Sequence, residues 1–315
     1  MRAPGHDELT RRAGARRGTP AAYYPTRGGS MIARSPAPEK IRPGQLLLRT
    51  GGACDLDPGH LLEVFGAQRQ RFVTVLRGFG PGDWAAPTRC AAWSAHDVVR
   101  HLCDCNATAA GADGRALDLT AGFDPRITPR GWLTASAGES PAATLGRFVT
   151  TTGELFALCR DRLARRQEFD VPLPFGPMDW TMLLLHAFWD SWLHERDVLL
   201  ARGWQHPTDG DATVYATAYG VFIAAAVAST FGDQVREKLT LGGDGGGVFD
   251  LDARRTITLT VTRATTAGPP AAEVTDALAG RSPAATLLGD LPASSRAALW
   301  RMADFFNTPA GQAPA

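Results

Sequence analysis

Cysteine is scarce, with five residues in a chain of 315: Cys54, Cys90, Cys103, Cys105 and Cys159. The number is odd and no secretory signal precedes them, which argues against a disulfide scaffold and for reduced thiols in a cytoplasm. Long apolar runs are missing as well. Stretches such as Val221 to Val227 are far too short to cross a bilayer, so no membrane partner is expected. Surplus charge is absent: 33 Lys and Arg face 32 Asp and Glu, a net +1 that gives no reason to expect nucleic acid. No G-x-S-x-G nucleophile elbow occurs. The Gly-rich run at 242–247 lies between two β-rich runs and reads as a hairpin turn, which makes nucleotide chemistry a poor fit.

What is present is the composition of a soluble globular chain, 44% hydrophobic and 21% charged, long enough for two ordinary domains. Its charge is uneven. Residues 1–50 hold 10 Lys and Arg against 3 Asp and Glu, leaving 23 against 29 for the remainder. Repeated Arg, Gly and Pro with few periodic apolar positions make residues 1–55 an expected disordered basic leader. No apolar segment follows Arg11 and Arg12, so a twin-arginine export signal is not expected. Met31 could itself serve as the start.

From Pro58 to Phe79, Leu61, Leu62, Phe65, Phe72, Val73, Leu76 and Phe79 recur at helical spacing, and Gly80, Pro81 and Gly82 end the run. Asp83–Trp93, with two tryptophans and Pro87, reads as an ordered cover. Ser94 and Asp97 form a capping box for a helix from Ala95 to about Ala110 that buries Val98, Leu102 and Cys105. Gly111–Glu139 reads as surface loop with at most a short helical turn. Ser140 and Pro141 open a helix running through Leu163. Val171–Asp179 is a Pro-rich connector. Asp179 and Gly203 then bracket a long helix as N-cap and C′ residue, and Ala212–Phe231 is a further one. After Gly232, short β-rich runs at Glu237–Leu241, Gly247–Leu251, Thr256–Val261 and Ala272–Val274 are joined by helical segments at Thr275–Ala279, Leu287–Leu288 and Ser294–Phe306. The fold class expected is α+β. An up-down bundle of four or five helices spans 56–231, a small α+β domain spans 232–308, and 309–315 is a loose tail.

The helix between Asp179 and Gly203 carries ionisable groups where burial is expected. Leu183, Leu184, Ala187, Phe188, Ser191, Trp192, Val198 and Leu199 supply its apolar spacing, while His186, Asp190 and His194 make a stripe of their own. Residues four apart on a helix project side by side, so Asp190 and His194 can converge on one point and suit a divalent metal. Trp189, Trp192 and Leu193 leave little wet circumference, so a carboxylate among them needs a partner. His101, at the edge of the earlier helix's apolar stripe, would complete a His, Asp, His set. Three protein ligands with an open fourth position are how catalytic zinc is held.

Neighbouring groups have weaker claims. His186 suits core packing better than ligation. Cys105 lies one turn after His101 on the same face and is a lesser candidate for the metal; Cys103 is about 200° round the helix from His101 and points elsewhere. Asp197 could orient a ligand, and Glu195 suits a solvated or salt-bridged surface. Arg281 could bind a substrate or cofactor carboxylate with its fork, a structural salt bridge being equally open.

Two segments, WAAPTRCAAWSAHDVVRHL (Trp84–Leu102) and WDSWLHERDVLLARG (Trp189–Gly203), closely resemble the paired motifs of the mycothiol-dependent maleylpyruvate isomerase family. The likeness covers about residues 57–231 well; farther on, ALAGRSPAATLLGDL (Ala277–Leu291) is the most similar stretch. The resemblance implies a DinB-like metal-binding bundle followed by a small sterol-carrier-like domain, in an actinobacterial protein. It also implies metal ligation by His101, Asp190 and His194, with Asp190 standing where better-known members have Glu. The implied cofactors are a divalent ion, zinc first with nickel as the alternative, and mycothiol as thiol cosubstrate. The expected chemistry is isomerisation or S-transfer on a small electrophilic, unsaturated substrate, with a metal-bound thiolate as nucleophile. Two rivals use the same residues: a non-catalytic metal- or ligand-binding regulatory protein, and a hydrolase that activates water on the metal.

Overall fold

The computed structural model describes residues 47–51, 57–90, 93–111, 127–173, 176–207, 209–254, 257–283 and 287–307. All of them lie in one compact unit, Pro36–Ala315. Met31, Cys54, most of the expected leader and the 309–315 tail lie outside the described residues.

The helices start where the sequence supplies caps. In α1 (Pro58–Arg77) the Asp57 side chain accepts from the backbone N–H of Gly59 and His60, with Pro58 in the first turn. A short α2 (Pro81–Trp84) follows. Helix α3 (Ala95–Gly111) opens on the expected box: Ser94 Oγ accepts from Asp97 N at 3.1 Å and Asp97 Oδ2 from Ser94 N at 2.9 Å. Within the stretch read as loop, α4 (Thr128–Ala135) is a genuine helix that buries Leu133. Helix α5 (Pro141–Ala164) is capped by Ser140. The Pro-rich connector pairs with itself as a small antiparallel hairpin, β2 (Asp170–Leu173) and β3 (Gly176–Asp179). Two 21-residue helices complete the bundle, α6 (Trp180–Leu200) and α7 (Gly210–Thr230).

Helices α6 and α7 are buried around nearly their whole circumference. Such helices read as apolar on every side because every side meets protein. Phe65 of α1 packs edge-on against Phe156 of α5 and Phe188 of α6, with ring centroids 5.0 and 5.5 Å apart. Contrary to the expectation from short apolar runs, α7 is long and apolar enough to cross a membrane, but its apolar window is entirely buried in the protein. It is a core helix on which the second layer rests.

That layer is a sheet ordered β1-β6-β5-β4, where β4 is Val235–Leu241, β5 Gly247–Ala253 and β6 Ile257–Arg263. The β4–β5 hairpin closes through the glycine run, where Gly243 and Gly245 take φ of +73° and +77° that side chains rarely adopt. Strand β1 (Leu47–Gly51) lies inside the expected leader yet pairs parallel with β6, because an edge strand's unpaired backbone groups accept a short β-prone segment. Ala272–Val274, expected as a strand, belongs instead to helix α8 (Ala271–Leu278), whose apolar side packs on α7. A three-residue apolar run is too short for period to discriminate. Leu287–Leu288 forms a turn, and α9 (Ala293–Asn307) packs on α7 and β4. The fold class is α+β.

Candidate metal centre

Helices α3 and α6 lie side by side. Asp190 stands between two imidazoles, one from each helix: its Oδ2 is 3.5 Å from His101 Nε2 and its Oδ1 is 3.4 Å from His194 Nε2. One donor atom from each of the three lies within 4.8 Å of the other two, and the two imidazole rings meet edge-on at 5.0 Å. The histidines are buried, at 6% and 3% exposure. Trp93 covers them, its ring 4.9 Å from His101 and stacked 5.8 Å from His194; Trp132 of α4 stacks on His101 from another side. Of the segment expected as a cover, Trp93 lies over this cluster, while Trp84 packs against Phe79 and His96.

The arrangement suits a divalent cation. A tetrahedral centre with bonds of about 2.0–2.1 Å to nitrogen and oxygen sets such donors roughly 3.3 Å apart, close to the two separations above. Asp190 Oδ2 is sealed from solvent and has no hydrogen-bond partner among the described residues, an orphaned acceptor that a cation would satisfy. The set is two imidazoles and one carboxylate, the ligand chemistry of zinc.

In the metal-free chain the electrostatics are strongly coupled. Burial alone would raise the Asp190 carboxyl, but His194 and His101 beside it hold it well below the ordinary range. Burial opposes charge on His194, yet Asp190 and Asp197 raise that imidazole to about 9. On the far side of the His194 ring, Asp197 Oδ2 is 3.1 Å from Nδ1. Asp197 is fully buried and is itself clamped by Arg281 Nε at 3.1 Å and Arg89 Nη2 at 3.3 Å. Despite burial, Arg281, His194 and Arg89 hold its carboxyl at about 2. Arg89 also forks onto Asp276 of α8 with two 2.9 Å bonds, and Arg196 grips the same carboxylate. This relay of Arg89, Asp276 and Arg196 escaped sequence reading. Nothing in a lone Asp of α8 shows that its partners lie 80 and 187 residues away.

Arg281 faces Asp197 and the Ala279 carbonyl. His186 stands outside the three-donor group, its Nδ1 2.8 Å from Tyr219 Oη. Glu195, expected at a surface, is fully buried and joined to Arg71, Gln68 and His206, because α6 has no wet side. Cys103, not Cys105, is the fully buried thiol of α3, turned to the Thr144 carbonyl. Cys105 is half-buried, with Sγ 3.4 Å from His101 Nε2. A second group, Cys90, His194 and Asp197, also clusters within 4.8 Å. The cations of Arg281 and Arg89 on Asp197 make it a poor cation site.

Residues 65–199 match the profile of the mycothiol maleylpyruvate isomerase N-terminal domain. Over that span the chain is similar to this domain family. The matched span runs from within α1 almost to the end of α6. It therefore contains His101, Asp190, His194, Asp197 and Arg89, while Asp276 and Arg281 lie beyond it. Two solved structures of the mycothiol-dependent maleylpyruvate isomerase, one of them a point mutant, are similar to the chain at 13% and 14% identity. Each has a TM-score of 0.49 and covers 72% of this chain and 91% of its own. Among curated proteins nothing matches.

Proposed function

We propose that His101, Asp190 and His194 hold a divalent metal, zinc first and nickel second. In this reading the protein uses mycothiol to isomerise a small, electrophilic, unsaturated substrate or to transfer the thiol to it, in the cytoplasm. The observation that carries the reading is the Asp190 carboxylate, each oxygen turned to a different imidazole and Oδ2 sealed from solvent, within a span that matches the mycothiol maleylpyruvate isomerase domain.

A bound divalent cation would supply the positive charge that keeps an incoming thiol in its thiolate form at neutral pH. The chain's own residues do the rest. Asp197 takes the Nδ1 proton of His194 as a hydrogen bond, so the Nε2 lone pair is directed toward Asp190 and His101. Trp93 and Trp132 flank the imidazoles and exclude water from them. Isomerisation then needs only addition and loss of one group. Sulfur adds to the conjugated double bond, the resulting single bond rotates, and expulsion of the same sulfur restores the double bond. For transfer, protonation of the adduct leaves the sulfur attached.

The test is an assay of maleylpyruvate isomerisation by the zinc-loaded chain with and without mycothiol. Turnover that requires both thiol and metal supports the reading. Hydrolysis without thiol, or no turnover of any thiol-reactive electrophile by the loaded chain, overturns it.

A further inference from the structure

Arg69 of α1 is only 2% exposed, yet it forms no ion pair with any described residue. Its Nη2 donates to Asn106 Oδ1 at 3.0 Å, while its Nε and Nη1 are sealed from solvent with no hydrogen-bond partner among the described residues. The guanidinium carbon lies 4.9 Å from the centre of the Phe65 ring and 4.6 Å from that of Phe148, contacts that offset only part of the cost of burying a charge. Its place is fixed, because Asn106 donates in turn to Thr151 and Thr152 of α5 at 3.3 and 3.1 Å.

The surroundings of this cation lead to the metal centre from two sides. On α3, Asn106 follows Cys105, whose Sγ is 3.4 Å from His101 Nε2. On α6, Ser191 follows Asp190 and donates its hydroxyl at 2.9 Å to Gln68, the residue before Arg69. Burial lowers the guanidinium to about 10, and Asp190 is the foremost group acting against that. The core thus holds two orphans of opposite sign, Arg69 and Asp190 Oδ2. A sealed, unsatisfied charge calls for a reason.

We propose that Arg69 is a positioning residue of the metal centre, an unpaired cation kept in the core so that the loaded centre selects anionic ligands, thiolates first, over neutral ones; this rests on the three-donor reading above. A divalent ion with one carboxylate and two neutral imidazoles keeps a single net positive charge. Arg69 doubles it without occupying a ligand position. The same charge repels the metal, so it weakens metal binding while it strengthens thiolate binding. For buried unit charges up to about 10 Å apart, an effective dielectric constant of about 20 makes each effect on the order of 10-fold.

The experiment loads the full-length chain with one equivalent of cobalt(II) and follows its visible spectrum as thiocyanate, a soft anion, or imidazole, a neutral donor above its own pKa, is added. The wild-type chain is expected to bind thiocyanate more tightly than imidazole, a measurement that needs no variant. Arg69→Met should bind thiocyanate roughly 10-fold more weakly, imidazole as before, and cobalt itself more tightly. Arg69→Lys keeps the charge and should keep the wild-type preference. A purely structural role would instead weaken both ligands together and lower metal affinity. A wild-type chain that prefers imidazole, a folded Arg69→Met in which the two ligands change alike or not at all, or a folded Arg69→Lys that loses the preference overturns the proposal and leaves the three-donor reading standing. A chain that takes up no cobalt overturns both.

Discussion

Asp197 Oδ2 and His194 Nδ1 are 3.1 Å apart, on the side of the imidazole turned away from Asp190. A histidine held in this way presents one defined nitrogen to a metal, and the carboxylate behind it raises its basicity. Asp197→Asn keeps the shape and removes the charge. Metal affinity of this variant, measured by competition with a chromophoric chelator, should fall roughly 10- to 100-fold while the circular dichroism spectrum is retained. An unchanged affinity would show that Asp197 serves only the arginine relay.

The two helices share the centre, so each must be needed for it. His101→Ala on α3 and His194→Ala on α6 should both abolish near-stoichiometric zinc in the purified, folded protein, as read by elemental analysis. Metal content indifferent to either change would remove the site.

Protonation of His194 ties stability to pH in the metal-free chain. Against burial, Asp190 and Asp197 raise this imidazole from 6.5 to about 9. The folded state then binds the proton more tightly than the unfolded one, so this contribution to stability is complete below about pH 6.5 and is lost as the pH rises through about 9. Urea midpoints of the metal-free protein should decline across that window, and His194→Gln should flatten the decline. Since a metal must displace the same proton, its binding should release H⁺ below pH 9, which a dye in weak buffer detects.

Glu195 neighbours His194 in sequence but serves a different purpose. Its buried carboxylate joins Arg71, Gln68 and His206, away from the three donors. Glu195→Ala leaves those partners uncompensated and should cost on the order of 3 kcal/mol in denaturant unfolding. Zinc content at neutral pH should be untouched, and a variant that folded normally but lost its metal would contradict this division of the helix.

Trp93 is the roof. Trp93→Ala should leave metal content intact while exposing His101 and His194, so that diethyl pyrocarbonate modifies histidine faster in the metal-free variant than in the metal-free wild type. Equal rates would mean that access is set elsewhere, with Trp132 the next residue to change.

Much of this protein follows from local rules that act on neighbouring residues. Asp57, the Ser94–Asp97 box and Ser140 mark where helices begin, because a side-chain oxygen within three residues satisfies the first free N–H groups. The four-residue step from Asp190 to His194 places both on one helical stripe whatever the rest of the chain does. Tertiary structure alone decided what those stripes meet. It set His101 of α3 against Asp190 and buried the Glu195 side of α6. It folded Ala272–Val274 as helix, recruited Leu47–Gly51 as an edge strand, and brought Arg89 and Arg196 onto Asp276. The physical reason is range. Capping and periodicity are set within a turn or two of chain, whereas the burial of a charge and the identity of its partner depend on surfaces that meet only when the whole chain has packed.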